Sequence, residues 1–166
     1  MMVLQEEEKQ ARKKAMRLLE HMDRTEKGLT DKLVQSGFSA DAAADAVAYV
    51  KDYGYINDSR YALNYIIGRI HEKSRQRIFQ DLLQKGIDRE TAEAAWEEAE
   101  ELENPDEREL LRRTVEKRWT FGSRLDEREL RRLYGYLSRR GFRSGDISSV
   151  LEELEITVTY SGRQPE

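Results

Sequence analysis

Apolar residues follow a helical spacing along the chain, in a pattern that occurs three times. Gly37, Gly86 and Gly141 each stand four residues after a leucine and directly before a large apolar residue. Leucine or isoleucine also stands one helical turn before that leucine, and apolar residues recur downstream at matching positions, which in the first copy are Ala43, Val47 and Val50. The two upstream positions share one face of a helix, as do the three downstream positions. Because self-similarity at a long period is typical of repeat proteins, the pattern predicts tandem repeats, of which the third is slightly longer than the second.

The glycine in each copy predicts the end of a helix. A residue at this position usually adopts a positive φ, which glycine reaches without a steric penalty. Ser39 and Asp88 then stand where an N-cap would start the next helix. Arg143 holds that place in the third copy, so we expect the cap there to shift to Ser144. If the φ of Gly86 is positive, its replacement by alanine should cost about 1 kcal/mol.

A further apolar stripe precedes each of these helix pairs, so that each repeat contains three helices. We therefore predict an all-α fold of three tandem three-helix repeats, which share apolar surface in an elongated, slightly curved molecule. The alternative is one globular bundle of six to nine helices with coincidental spacing. The predicted segments are a charged lead-in that is helical or frayed (1–14), three repeats (15–58, 59–104 and 105–156) and a frayed tail (157–166).

Two joints connect the predicted repeats. The first, KDYGYINDSRYA, contains Gly54 to end a helix and apolar residues behind it, which indicates a tight, structured joint. The second, ELENPDERE, contains Pro105, which blocks helix continuation, so we expect a more exposed joint that can hinge. The candidate N-caps are Asn57 or Asp58 after the first joint and Asn104 or Asp106 after the second.

The composition of the 166-residue chain is hydrophilic, with 37% charged residues and a mean hydropathy of −0.86. Its net charge of −4 is unlike that of a strongly basic nucleic-acid-binding protein, so any anion-binding surface must be local. The absence of cysteine excludes disulfides, Cys-ligated zinc and a thiol nucleophile. The apolar runs are too short to span a membrane and the N-terminus has no signal-peptide core, so we expect a cytoplasmic protein.

The sequence contains no motif of a familiar enzyme or cofactor site. The phosphate-binding patterns G-x-x-x-x-G-K-[ST] and G-x-G-x-x-G are absent. The two histidines, His21 and His71, each stand near the end of the first helix of a repeat and lack cysteine or H-x-x-x-H partners. We interpret them as surface or cap residues rather than as a metal pair. We therefore expect no enzymatic activity, no cofactor and no metal.

Charge is distributed unevenly along the chain. Residues 90–109 carry ten acids and one base, whereas residues 107–143 carry twelve bases and six acids. On the helix predicted in the basic segment, Arg128, Arg132 and Arg139 fall within a sector of about 40°, opposite the leucines. Such a stripe can hold phosphates or the carboxylates of a partner through planar, multi-donor contacts. The alternatives are a solubilising face or a stripe that pairs with the acidic segment.

Other basic residues extend this candidate surface. Arg140 flanks the stripe, and four basic residues on the preceding helix can widen it. The stretch HEKSRQR in the second repeat is a weaker signal, where N–H groups at a helix start would assist anion binding. The candidate contacts for a partner or DNA are Arg128, Arg132, Arg139, Arg140, Arg112, Arg113, Lys117, Arg118, Lys73, Arg75 and Arg77.

Four stretches of the chain carry a family resemblance. They are YVKDYGYINDSRYA, RTEKGLTDKLVQSGF, RIFQDLLQKGI and LYGYLSRRGF. Together they resemble the RecX family, bacterial regulators of the recombinase RecA, over about residues 15–154. The resemblance implies three three-helix units and a non-enzymatic protein of DNA repair, recombination and the SOS response. It also implies binding in the groove of RecA filaments, limits on filament growth and on recombinase and co-protease activity, and some contact with DNA.

The chain departs from the family pattern in two places. Relatives often have a Gly-rich basic turn in the second unit, where this chain has HEKSRQR. Some relatives also carry a β-rich N-terminal extension, which we expect to be absent or trimmed here.

Three functions follow from these observations. The first is a regulator of RecA, and the second is a DNA-binding helical module that acts without RecA through the basic face of the third repeat. The third is an inert helical scaffold whose charges only keep it in solution. We expect a monomer with no membrane contact, whose partners are the RecA filament and single- or double-stranded DNA.

Overall fold

The computed structural model describes residues 2–160, with side chains from residue 5 onward. Within this range, nine helices and two short strands are found. No helix among these residues combines the length and the hydrophobicity that a membrane span requires. Three helices per repeat confirm the predicted all-α repeat fold. In chain order the elements are α1 (Met2–His21), α2 (Glu26–Gln35), α3 (Ala40–Asp52), α4 (Asp58–Arg69), α5 (Arg75–Gln84), α6 (Arg89–Glu103), α7 (Glu107–Glu116), β1 (Arg124–Asp126), α8 (Glu127–Arg139), α9 (Ser144–Glu153) and β2 (Thr157–Thr159).

The Leu-x-x-x-Gly phrase is a helix C-cap in all three repeats. Gly37, Gly86 and Gly141 have φ angles of +101°, +88° and +89°, as predicted for this position. The N–H of the apolar residue after each glycine donates to the carbonyl of the leucine that begins the phrase, at 3.0–3.2 Å. This bond is the Schellman motif, which brings the two apolar side chains together and explains their fixed spacing. Gly54, at the first joint, has a φ of +75° and the same arrangement.

The N-caps agree with the sequence at most positions. Ser39 and Asp88 each accept a hydrogen bond from the backbone N–H three residues further on. Asn57 and Asp106 do the same for the helices that follow the two joints. The expected shift of the cap in the third repeat is wrong, because Arg143 remains at the N-cap position and makes no side-chain bond there.

The chain divides into two compact units, and the first comprises the residues up to Ile67 together with Asp81–Leu102. One core of this unit lies between α1, α2 and α3, where Ala11, Leu33 and Val50 are fully buried. The described part of the predicted lead-in belongs to the helix α1, and Ala11 within it packs in this core.

The second unit comprises Gly68–Gln80 and the residues from Glu103 onward. Its core joins α7, α8, α9 and the two strands, and Leu111, Leu133 and Ile147 lie at its centre. Each of these residues stands on the apolar face that the helical periodicity predicts.

A short parallel strand pair lies in the second unit. β2 pairs with β1, and the pair is extended by a bond of 3.0 Å from the N–H of Thr157 to the carbonyl of Ser123. The prediction of a frayed tail is therefore wrong for Thr157–Thr159, because these β-branched residues complete a strand next to the buried Leu125 and Ile156. The rest of the predicted tail, 161–166, lies outside the described residues.

Candidate anion-binding pocket

Ser74, in the turn between α4 and α5, organises one side of the second unit. It is fully buried, and its hydroxyl donates to the carbonyl of Arg140 at 2.7 Å and accepts from the N–H of Arg77 at 3.3 Å. The guanidinium of Arg77 donates to the carbonyl of Arg139 at 3.1 Å. A Cβ atom on Gly141 would lie only 2.7 Å from the backbone nitrogen of Arg77. The last turn of α8 is therefore held against the first turn of α5, and its end carbonyls are satisfied.

The same joint occurs one repeat earlier, within the first unit. Thr25 is 3% exposed, and its hydroxyl donates to the carbonyl of Lys85 at 2.5 Å. This bond corresponds to the one from Ser74 to the carbonyl of Arg140 in the second unit. A Cβ atom on Gly86 would lie 2.6 Å from Cδ of Lys27. In both units, a hydroxyl before a middle helix thus bonds the carbonyl just before the glycine of the following repeat. The same type of contact between neighbouring repeats therefore occurs in both units.

A carboxylate completes each joint. Asp58 accepts a hydrogen bond from the N–H of Glu26 at 2.9 Å, and Glu107 accepts one from the N–H of Arg75. Partial burial raises the pKa of both carboxyl groups, and these hydrogen bonds offset only part of that effect. The N–H groups of Arg75 and Arg77 at the start of α5 already have acceptors. The expectation that this helix start assists anion binding is therefore not supported.

A cavity of about 500 Å³ opens beside the joint of the second unit. Four segments line it: the turn after α4, the first part of α5, one face of α7 and the end of α8. A concave surface that gathers charge of one sign focuses the electrostatic potential, so the cavity favours an anion. Its cationic side chains are Lys73, Arg77, Arg113, Lys117, Arg139 and Arg140.

Few acids offset these cations. Glu72 is the one carboxylate among the lining residues. The exposed His71 at the rim pairs with Glu103, at 3.0 Å between Nε2 and Oε2. Several guanidinium and ammonium groups therefore remain available to a ligand. Within the described part of the second unit, the lining cations without a carboxylate in salt-bridge contact are Arg113, Lys117, Arg139 and Arg140.

The ring of Tyr136 on α8 positions Arg140 in the pocket and Arg118 beside it. The guanidinium carbon of Arg140 lies 3.7 Å from the centre of its ring, and that of Arg118 lies 3.9 Å from it. Trp119 packs edge-on against the same ring, at 6.1 Å between centroids. Because a cation above an aromatic ring is attracted to it, these contacts restrict where the two guanidinium groups can lie.

Three consecutive segments match family models named for the RecX family. Residues 11–49 match the first three-helix domain of RecX, residues 57–95 the second and residues 106–151 the third. The chain belongs to the RecX family. It is 36% identical over 146 residues to the regulatory protein RecX of Caldanaerobacter subterraneus, a match that covers 87% of this chain and 71% of that protein. The RecX protein of Trichlorobacter lovleyi is 35% identical over 144 residues, or 84% of this chain and 92% of that protein.

Solved RecX structures share the fold. The crystal structure of RecX from Lactobacillus salivarius superposes with a TM-score of 0.65, over 90% of this chain and 97% of that one. At 22% sequence identity, this likeness concerns the fold alone. The three-helix repeat, predicted from the glycine phrases, is thus the architecture of RecX proteins.

The candidate residues can now be placed on the RecX domains. The second domain contributes Lys73 and Arg77 to the pocket, and the third contributes four cations from α7 and the end of α8. Arg112 faces away and pairs with Glu116 at 3.1 Å. Arg75 stacks on Phe79, at 4.9 Å from the ring centre, and does not line the pocket.

The predicted arginine stripe of α8 does not converge on one site. Arg139 lines the pocket, whereas Arg132 lines a second cavity with Arg118 and Arg124. Arg128 is exposed and lines neither cavity. The stripe is thus divided between two places because α8 turns only its C-terminal end towards α5 and α7.

Sequence reasoning missed three contributors to the pocket. Thr25 and Ser74 stand equally far before the glycines of their own repeats, so the position of Ser74 in the repeat was a usable signal. Glu72 stands within the basic stretch HEKSRQR, and its sequence position alone does not show that it lines a cavity. The role of Tyr136 was not predicted because it depends on Arg118, which stands before α8 in the sequence, as well as on Arg140 one turn further along, at the C-cap of the same helix. No group of three or more His, Asp or Glu residues suited to a metal ion occurs in the described part of the chain.

Proposed function

We propose that this protein is a non-enzymatic regulator of RecA, which binds along the RecA–DNA filament and limits filament growth, recombinase activity and co-protease activity. The observation that carries the proposal is the match of three consecutive RecX domains over residues 11–151. Relatives that bear the name regulatory protein RecX support regulation rather than catalysis.

Tandem repeats suit a helical polymer as a partner. Successive repeats can contact successive protomers, and weak contacts that are linked act at a high effective concentration. The buried joints at Thr25 and Ser74 support this interpretation, because they restrict motion between consecutive repeats and so reduce the entropy lost on binding.

The direct test measures RecA on single-stranded DNA, through ATP hydrolysis and filament assembly, with the protein added at increasing ratios. We expect both signals to fall. Removal of the arginine stripe by Arg128→Ala, Arg132→Ala and Arg139→Ala together tests whether these cations contact the filament, with the exposed Arg131→Ala on the same helix as the control. Unchanged hydrolysis and assembly at an equimolar dose would contradict the proposal.

A second candidate function is a DNA-binding module that acts without RecA. The concentration of cations in the second unit, in the pocket and in the second cavity that Arg124 and Arg132 line, favours it. Binding to phosphates releases counterions, so the affinity for DNA should fall steeply with salt and should weaken when the arginine stripe is removed. A salt-independent affinity, or one that the triple variant leaves unchanged, counts against this function. Sedimentation of the free protein tests the monomer that both functions assume.

A further inference from the structure

The cationic pocket of the second unit has the size and charge of a small-molecule site. Its volume of about 500 Å³ lies inside the range of about 300–1,000 Å³ that is usual for ligand pockets. Six lysine and arginine side chains and one glutamate line it. Four of these cations, Arg113, Lys117, Arg139 and Arg140, make no salt-bridge contact in the described part of the chain, so an occupant that balances them carries several negative charges close together. We propose that the pocket binds a compact polyphosphate, namely the linked phosphates of a nucleoside triphosphate or of inorganic triphosphate.

Three of the four pocket arginines, Arg77, Arg139 and Arg140, are held in place before a ligand arrives. Arg77 is anchored by its bond to the carbonyl of Arg139, and Arg140 by its contact with Tyr136. The guanidinium of Arg139 lies over Gly135, with Nη1 3.1 Å from the position that a Cβ atom there would take. Because these groups are already ordered, little side-chain entropy is lost when they bind an anion.

The donor set suits phosphate chemistry. A guanidinium binds phosphate through parallel N–H donors, and a lysine adds a mobile point charge. Arg113 and Lys117 lie four residues apart, so that both project from one face at the C-terminal end of α7. Together with the arginines at the end of α8, they present donors from two directions, as a chain of linked phosphates requires.

The aromatic surroundings favour a compact polyphosphate over a nucleic-acid strand. Single-stranded nucleic acids are usually bound by stacking of their bases on exposed aromatic rings. The ring of Tyr136 already carries the guanidinium groups of Arg118 and Arg140, and Trp119 packs against it. Tyr136, the one phenol ring among the lining residues, is therefore already covered by cations, and the affinity should depend on the phosphates and not on the nucleoside.

The test is a calorimetric titration of the full chain with inorganic tripolyphosphate in magnesium-free buffer. Arg113→Ala and Lys117→Ala should each weaken binding by about tenfold, which corresponds to the loss of one charge-assisted contact. Arg131→Ala, an exposed arginine of α8 that does not line the pocket, should change the affinity less than about twofold. Glu72→Gln should tighten binding several-fold because it removes the carboxylate from the lining.

Competition separates the possible sources of the phosphates. We expect ATP, GTP and tripolyphosphate to bind with similar affinity, and a single-stranded oligonucleotide without terminal phosphates to displace them only at a much higher concentration. The proposal is overturned if the oligonucleotide binds more tightly and displaces tripolyphosphate, since the pocket is then part of a nucleic-acid surface. It is also overturned if the three substitutions in the pocket leave the tripolyphosphate affinity unchanged. Neither outcome depends on RecA, so this site and the proposed regulation of RecA are tested separately.

Discussion

Replacement of Gly141 by alanine tests the joint that supports the pocket. Any alanine at this position must adopt a φ near +89°, and its Cβ must also enter the contact between α8 and α5. Gly37 provides a matched comparison, because its φ is +101° but open space surrounds its Cβ position. The difference between the two variants therefore isolates the close approach from the backbone conformation.

The magnitude follows from what must move. The left-handed conformation costs about 1–2 kcal/mol for a residue with a Cβ, less the reduced entropy of the unfolded chain, so that Gly37→Ala should cost about 1 kcal/mol. In Gly141→Ala, the new Cβ would lie 2.7 Å from the nitrogen and 2.8 Å from the Cβ of Arg77, and it would overlap the Ser74 hydroxyl. Relief of these contacts separates α8 from α5 and breaks the bonds to the carbonyls of Arg139 and Arg140. Each lost bond adds about 1 kcal/mol, for a total of about 3 kcal/mol.

Urea denaturation followed by far-ultraviolet circular dichroism measures both costs, provided that the slope of free energy against urea is unchanged. In a chain of this size, 1 kcal/mol shifts the melting temperature by about 2–4 °C, so the two variants should differ by about 4–8 °C. Gly86→Ala should also exceed Gly37→Ala, because Lys27 occupies the space beside it. Equal costs for Gly37→Ala and Gly141→Ala would refute the close approach.

Three further variants test single contacts by urea denaturation. Ser74→Ala should lower the free energy of unfolding by about 1–3 kcal/mol, because a buried carbonyl loses its donor. The control is Ser36→Ala at an exposed hydroxyl, which should cost under about 0.5 kcal/mol. Equal effects of the two substitutions would contradict the buried bond. Burial raises the pKa of Asp58, so its contribution to stability is complete below its unfolded pKa and is lost as the pH rises through the folded pKa. The free energy of unfolding of Asp58→Asn, taken relative to that of the parent protein, should therefore be higher at pH 7 than at pH 4. The same difference at both pH values would count against this assignment. Gly135→Ala should stabilise α8 by about 1 kcal/mol but displace the guanidinium of Arg139 and weaken tripolyphosphate binding; unchanged affinity would show that this arginine adapts.

Much of the fold could be predicted from the sequence, because the decisive interactions are local. The helix ends depend on Schellman bonds that close within the last turn, so the leucine, the glycine and the following apolar residue keep a fixed spacing. The N-caps at Ser39, Asp88, Asn57 and Asp106 likewise depend on the residue itself and the next turn. Periodicity and cap chemistry therefore suffice wherever the contact is short in sequence.

The strand pair shows where local patterns are insufficient. Asp58 at the start of α4 and Glu107 at the start of α7 are separated by as many residues as Gly37 and Gly86. The additional length of the third repeat therefore lies between Glu107 and Gly141. It extends the connection before α8, which contains β1, and it extends α8 itself. The change in spacing predicts an insertion, but its structure depends on pairing with β2, which follows only after α8 and α9. A three-residue strand carries too few alternating positions to be recognised from one sequence.

The site was predictable in its residue types but not in its geometry, and the dipeptide before each repeat glycine shows why. In the second and third repeats, the second residue of this dipeptide is Lys85 or Arg140. Its carbonyl accepts a hydrogen bond from a buried hydroxyl of the preceding repeat. That bond requires only the backbone, so the joint places no demand on the side chains at these positions. In the third repeat they are the adjacent arginines that line the pocket, and in the second the lysine lies 5.5 Å from the ring of Tyr65. The repeat thus constrains the backbone while the side chains can differ between copies, and a charge that departs from the repeat pattern is where a binding function should be sought.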